Sequence, residues 1–302
     1  MGPKVERWAF LAILVMTAVW GSTFYLIKDI VTRIPVTDLL AVRFGVAGAA
    51  MVLIGGRHLR MSRQTLVRGV LLGLLYGLAQ ILQTFGLAQT SASVSGFITG
   101  LYVVITPLLG AAILRVRISP RVWFAVGLAT VGLGVLSLNG FSVGYGELLT
   151  LAASAIYAAH ILAMSRMTTP ETTMSLTVVQ TLVVAVVCAL AAAPNGISLP
   201  SSGADWLVVI YLGVIAGALT MFLQTWAQSR IDATRAAVVM AMEPVWAAGF
   251  AVALGGELLT LRMVLGGLSI LAAMYLVELT PSRSADHDHD RDSQPTPARG
   301  AS

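Results

Sequence analysis

Ala236 to Leu254 reads AAVVMAMEPVWAAGFAVAL, an apolar run interrupted near its middle by Glu243 and then Pro244. A helix of this length is enough to cross the roughly 30 Å hydrocarbon core of a bilayer. In that position Glu243 sits near the midplane, and Pro244, which has no N–H, leaves the carbonyl one turn earlier without its usual donor. Both features cost free energy; an ionisable side chain at that depth costs roughly 2.5–3.5 kcal/mol on insertion scales and usually faces a cavity or a partner. Glu243 therefore reads either as part of a site or as a protonated carboxyl bonded to a neighbouring helix.

The rest of the chain agrees with a membrane setting. Of its 302 residues 57% are hydrophobic and 11% charged, against about 25% charged in a typical soluble domain. Apolar stretches of about 20 residues predict ten spanning helices, near 8–27, 37–55, 66–86, 93–114, 121–138, 146–165, 173–193, 205–224, 234–254 and 261–278. Loops are short, and the long polar piece is the tail over 279–302, which reads as a disordered cytoplasmic end. The first helix has a positive flank, but no small-residue cleavage pattern follows Trp20-Gly21-Ser22-Thr23, so it reads as a retained span rather than a signal peptide.

In a soluble chain the formal charge of +5 would invite a nucleic-acid partner. Here the position of the positive residues matters more, because short loops rich in Lys and Arg stay on the cytoplasmic side. With the N-terminus inside, that side collects Lys4, Arg7, Arg57, Arg60, Arg63, Arg68, Arg115, Arg117, Arg121, Arg166, Arg230, Arg235, Arg283, Arg291 and Arg299; the other side has Lys28, Arg33 and Arg262. Both termini are expected to be cytoplasmic, with lipid rather than nucleic acid as the surrounding partner. The single cysteine, Cys188, lies within the seventh predicted helix and offers no disulfide or thiol cluster. Asp286-His287-Asp288-His289-Asp290 in the tail has metal-binding residue types, but alternating charges among Pro, Ser and Gly describe a solvated end, so neither metal nor cofactor is expected.

The chain also repeats itself. Gln83-Thr84-Phe85 and Thr90-Ser91-Ala92-Ser93 align with Gln224-Thr225-Trp226 and Ile231-Asp232-Ala233-Thr234. Pro107 pairs with Pro244, Arg43 with Gln180 and Trp20 with Tyr157 at an offset shorter by about one helical turn. Five helices per half force the halves, 8–138 and 146–278, into opposite orientations. Such inverted repeats are a transporter design, with the substrate site near the midplane between halves; the alternative is a duplication kept for packing.

These residues carry a resemblance. Trp20-Gly21-Ser22-Thr23, Arg43-Phe44, Thr90-Ser91-Ala92-Ser93, Gly146-Glu147-Leu148-Leu149, Glu243-Pro244 and Gly256-Glu257 occur in an order that resembles the drug/metabolite transporter superfamily, in its ten-helix branch with paired EamA-type domains. Where that family often has an acidic residue before the fifth helix, this chain has Arg117. The resemblance implies export or exchange of small metabolites, often amino acids or amphipathic compounds, across a bacterial inner membrane.

Polar residues inside the predicted helices fall on single faces. Tyr76, Gln80 and Gln83 form one stripe; Ser95, Thr99, Tyr102 and Thr106 a second; Thr220, Gln224 and Gln228 a third; Ser154, Tyr157 and His160 a drifting fourth. Residues three and four apart stack on one side of a helix. One such residue is ordinary interhelical glue, at about 0.6 kcal/mol, whereas four stripes together describe a cavity wall. Trp20, Trp246, Tyr102 and Tyr157 could stack on an aromatic or apolar substrate, or pack in the core. Glu243 suits a carboxylate that binds proton and substrate alternately. His160 titrates near neutrality and could relay a proton, or be a satisfied hydrogen-bonder. Arg43 could attract an anion, but its expected role is to pair with a helix end or to snorkel outward, and Glu147, Pro107 and Pro244 read as structural. Gly127, Gly132, Gly134, Gly266, Gly267 and Ala272 put the fifth and tenth helices outside the cavity, as scaffold or a homodimer face.

The fold predicted is an all-α integral membrane protein of ten helices in two inverted five-helix repeats, working as a secondary transporter. One acid, one base, amides and aromatics suit a small zwitterionic or amphipathic metabolite. A membrane sensor or an intramembrane enzyme are the other classes open, but no His-Glu-x-x-His, Gly-x-Ser-x-Gly or phosphate loop is present, and no enzymatic activity is expected.

Overall fold

A computed structural model of the protein describes residues 3–114, 119–139, 142–230 and 239–278. The acid–histidine run of the tail, Arg115, Arg117 and the repeat segment Ile231–Thr234 lie outside the described residues. The described chain is helical apart from a two-residue antiparallel pairing, Leu138 with Val143 and Asn139 with Ser142. Its helices are α1 (Pro3–Ile30), α2 (Val36–Gly55), α3 (Arg63–Gln89), α4 (Ala92–Gly100), α5 (Tyr102–Leu114), α6 (Pro120–Ser137), α7 (Tyr145–Met167), α8 (Thr173–Ala192), α9 (Gly203–Ile210), α10 (Thr220–Gln228), α11 (Glu243–Ala253) and α12 (Leu261–Glu278).

Among the described residues, seven stretches are long and apolar enough to cross a membrane: Arg7–Ile30, Val36–Leu59, Arg63–Gln89, Ala92–Ile113, Tyr145–Met167, Thr173–Ala192 and Gly203–Gln228. Two shorter apolar helices, Pro120–Leu136 and Leu261–Leu276, and the 11-residue α11 accompany them. The surface fits lipid rather than water. Leu53, Leu190 and Leu207 are exposed, while Asp38, Arg43, Gln80, His160, Gln180 and Glu243 are buried. That inversion of the soluble pattern is what a multi-pass membrane protein requires.

Polar residues at the helix starts act as caps. Ser62, Ser91 and Ser202 accept from the N–H of Thr65, Val94 and Asp205 at 3.1, 3.3 and 3.0 Å, each worth about 1 kcal/mol. Glu257 reinforces the start of α4, accepting from the Ala92 N–H at 2.6 Å and from the Ser93 hydroxyl. Lys28 reaches back from α1 to the Leu87 and Ala88 carbonyls at 3.2 and 3.0 Å, closing the end of α3.

The two halves interlock. Helix α2 packs on α8, α3 on α7, α4 on α11 and α6 on α12; α3 also meets α8, and α2 meets Tyr211–Leu219. Each of these contacts pairs an element of one half with one of the other. The loops sort to two ends. Arg33 joins Asp29 and Asp205 at one end, with Asp38, Glu147 and Glu257. At the other, Arg68 reaches the Met167 carbonyl and Thr173 reaches Ser229.

Three predicted helices differ in form. The span near 205–224 runs over Gly203–Gln228 and widens into a π-helix at Tyr211–Leu219. The span near 93–114 tightens at Leu101, whose N–H bonds the Ile98 carbonyl at 3.1 Å, and resumes as α5 with Pro107 inside. In the stretch around Glu243, the described residues turn at Ala241–Met242 and α11 begins at Glu243. Pro244 therefore sits in a first helical turn, where a missing N–H breaks no helical bond, instead of in a helix interior.

Small residues make the close crossings. A Cβ on Gly132 would lie 2.8 Å from the Gly266 carbonyl oxygen, so α6 and α12 touch backbone to backbone within the chain. A Cβ on Gly21 would lie 2.9 Å from the Ala247 nitrogen, where α1 meets α11.

Candidate functional site

Between these helices lies a cavity bordered by α1, α2, α3, α4, α5, α7, the π-helical segment, α10, Met240 and the start of α11. Of the residues singled out from the sequence, Trp20, Tyr76, Gln80, Gln83, Thr99, Tyr102, Tyr157, His160, Gln224 and Glu243 line it. Thr106 and Trp246 do not. The Thr106 hydroxyl donates to the Tyr102 carbonyl of its own helix at 2.7 Å, and Trp246, 36% exposed, lies tilted against Phe250 with ring centroids 6.3 Å apart.

One directed hydrogen-bond chain runs along the wall. The Arg43 guanidinium donates through Nη2 to Gln80 Oε1 (3.3 Å), Gln80 Nε2 donates to the Tyr157 oxygen (2.6 Å), the Tyr157 hydroxyl to Gln83 Oε1 (2.8 Å), and Gln83 Nε2 to Thr99 Oγ1 (3.0 Å). Every link uses the donor of one group and the acceptor of the next, so α2, α3, α7 and α4 are held by satisfied bonds. Ser154 adds a bond to the Thr99 carbonyl at 2.9 Å. Aromatic edges fill the floor, with Tyr76 5.6 Å from Tyr157 and 5.3 Å from His160, centroid to centroid.

Arg43 corrects the expectation from sequence. It neither snorkels nor pairs with a helix end; it is 3% exposed and its guanidinium lies 4.6 Å from the Phe44 ring centroid. Helix α8 and Tyr211–Leu219 pack against α2, so the side chain has no short path to either membrane face.

His160 is bonded within the protein. Gln180 Nε2 donates to Thr225 at 3.1 Å, which leaves Gln180 Oε1 as acceptor for His160 Nε2 at 3.2 Å. Glu147 accepts from Thr90 at 2.8 Å, away from the cavity. The buried Glu243 carboxylate takes the Tyr102 hydroxyl at 2.9 Å through Oε2. That hydroxyl also lies 3.3 Å from the Met240 carbonyl oxygen.

The sequence reading missed Thr23, Phe24, Ile27, Ile161, Ala216 and Met240 as lining residues. Trp20, Thr23 and Ile27 fall at helical spacing, which could have flagged Thr23 beside Trp20. Ala216 borders the cavity through the π-helical turn, where α-helical periodicity gives the wrong face.

The chain resembles known proteins over nearly its whole length. The model of the EamA-like transporter family matches it twice, at residues 7–138 and 144–279. An "Uncharacterized transporter" of Archaeoglobus fulgidus is 27% identical over 273 residues, covering 90% of this chain and 86% of that protein. "Uncharacterized transporter YcxC" of Bacillus subtilis is 26% identical over 252 residues, 74% of this chain and 78% of that one. A crystal structure at 20% identity shares the fold with a TM-score of 0.65, covering 89% of this chain and 95% of its own. With two matched copies spanning most of its residues, this chain belongs to the EamA-like transporter family.

Proposed function

We propose that this membrane transporter is a secondary exporter of small zwitterionic or amphipathic metabolites such as amino acids, working by alternating access with proton coupling through Glu243. The observation that carries the reading is the placement of Glu243 on a central cavity whose wall combines a cation, amides and aromatic rings from both family repeats. A buried carboxylate reached from such a cavity can hold a proton or a cationic substrate group in turn.

Ten crossings in two inverted five-helix halves are the topology this mechanism needs, with both termini cytoplasmic in a bacterial inner membrane. Its support is the contact pattern: exchanging the halves maps the packing of α3 on α7 onto that of α1 on α10, and the packing of α3 on α8 onto that of α2 on Tyr211–Leu219. The tight turns beside Tyr102 and Glu243 meet at the cavity, as discontinuous helices do in transporters built from such repeats.

Reconstituted vesicles test the function. Flux of a candidate amino acid with its chemistry unchanged is the expected result. Chemical conversion of the compound would instead identify an enzyme, and neither flux nor conversion would leave a sensor.

A further inference from the structure

Trp20 and Tyr157 occupy equivalent places in the two sequence repeats, and so do Gln83 and Gln224. Exchanging the halves therefore maps the bond from the Tyr157 hydroxyl to Gln83 Oε1, 2.8 Å long, onto a bond from Trp20 Nε1 to Gln224 Oε1. The second bond is not made. Trp20 Nε1 donates instead to Thr220 Oγ1 at 2.9 Å, one turn before Gln224 on α10, and Gln224 Oε1 is buried with no donor among the described residues. Trp20 and Gln224 border the same cavity, and residues four apart share one helix face, about 6 Å from each other along the axis. Thr220 does not depend on the indole, because its own hydroxyl donates to the Ala216 carbonyl at 2.6 Å. A buried acceptor without a donor is a deficit, and the donor missing here is the one that the equivalent pair supplies in the other half.

We propose that the indole N–H of Trp20 is a two-position latch, holding Thr220 in this structure and stepping one turn along α10 to Gln224 in the oppositely facing state, while Tyr157 lets go of Gln83. This rests on the inverted-repeat, alternating-access reading above and names the bonds that change with it. When two halves are equivalent and oppositely oriented, exchanging their arrangements gives the same kinds of contact and turns the cavity to the other face. A one-turn step of one element past another is a form that such transitions take. Tyr157, once released from Gln83, still accepts from Gln80 Nε2 at 2.6 Å, three residues earlier on α3; Trp20 is now held in the same manner, four residues before Gln224. One amide oxygen is left without its donor in either state, Gln224 here and Gln83 there, so the exchange leaves neither facing favoured on that account.

The test uses the full-length protein in right-side-out and inside-out membrane vesicles, with Cys188→Ser removing the native thiol and Ile27→Cys placing one on the cavity wall. A charged, membrane-impermeant methanethiosulfonate then reports the face to which the cavity opens. Gln224→Leu removes an acceptor used only in the oppositely facing state, and Gln83→Leu one used by Tyr157 only in the state seen here. The two substitutions are expected to move the ratio of labelling from the two faces in opposite directions, each at least threefold, with Tyr157→Phe following Gln83→Leu. Gln224→Leu is also expected to keep or raise the unfolding temperature, and Gln83→Leu to lower it. Tyr157→Phe carries the comparison where Gln83→Leu does not fold. Shifts in the same direction, or a ratio that Gln224→Leu leaves unmoved, would overturn the latch while labelling from both faces keeps the transport reading standing. Labelling from one face only, in the reporter protein and in every variant, would overturn alternating access and the latch with it.

Discussion

The Tyr102 hydroxyl donates to Glu243 Oε2 at 2.9 Å and so joins α5 to the first residue of α11. Its second acceptor, the Met240 carbonyl at 3.3 Å, lies one turn ahead of Pro244. Tyr102→Phe leaves a buried carboxylate and a buried carbonyl without that donor. A loss of about 1–3 kcal/mol is expected, read as a lower unfolding temperature together with slower flux. Thr106→Val is the control, because that hydroxyl bonds only within its own turn; it should leave flux unchanged. Equal losses from the two variants would contradict the special place given to Tyr102.

The chain of bonds from Gln80 through Tyr157 to Gln83 implies energetic coupling. A double-mutant cycle on Tyr157→Phe and Gln83→Leu should give an interaction energy of about 0.5–3 kcal/mol. Additive effects would mean that the bonds do not act together.

Gly21 marks a crossing with no room to spare. A Cβ there meets Ala247 backbone at 2.9 Å as well as the Trp246 side chain, so Gly21→Ala should cost about 1–3 kcal/mol. Gly127 in α6 has nothing within 4 Å of the same added atom, and Gly127→Ala should be neutral or stabilise by about 0.5–1 kcal/mol. Thermal unfolding in detergent separates the two.

Arg33 bridges Asp29 at 2.7 Å and Asp205 at 2.9 Å, and the hydrogen bonds first to Asp29 and then to Asp205 hold its guanidinium more firmly protonated than usual. Its side chain is 45% exposed, so solvent screens the pair. Arg33→Ala should cost no more than about 1 kcal/mol, and the difference from wild type should shrink in high salt. A larger, salt-independent loss in unfolding temperature would show that the bridge is more than a surface pair.

Much of the cavity was legible because its polar residues recur at helical spacing. Tyr76, Gln80 and Gln83 on α3 could be assigned to one face before any neighbour was known, and all three line the cavity. Arg43 was not legible in the same way. Whether a long cationic side chain reaches an interface or stays inside depends on what packs around it, here α8 and Tyr211–Leu219, and local sequence carries no record of that. Periodicity also failed where the backbone leaves the α-helix, at Leu101, at Ala241–Met242 and in the π-helical turn that brings Ala216 to the cavity. Thr106 shows the limit of a stripe, since its hydroxyl turns back to its own helix although it is in phase with Tyr102. The glycines of α6 and α12 announced close approach, and Gly132 against Gly266 is such a crossing within one chain; small residues signal proximity of backbones without naming the partner.

Glu243 is proposed to exchange proton and substrate. Flux of a carried amino acid into reconstituted vesicles, measured with and without an imposed pH gradient for wild type and Glu243→Gln, tests it directly. The wild type should respond to the gradient, and the variant, with an unfolding temperature close to wild type, should not. A folded Glu243→Gln protein whose flux follows the gradient as the wild type does would contradict the claim.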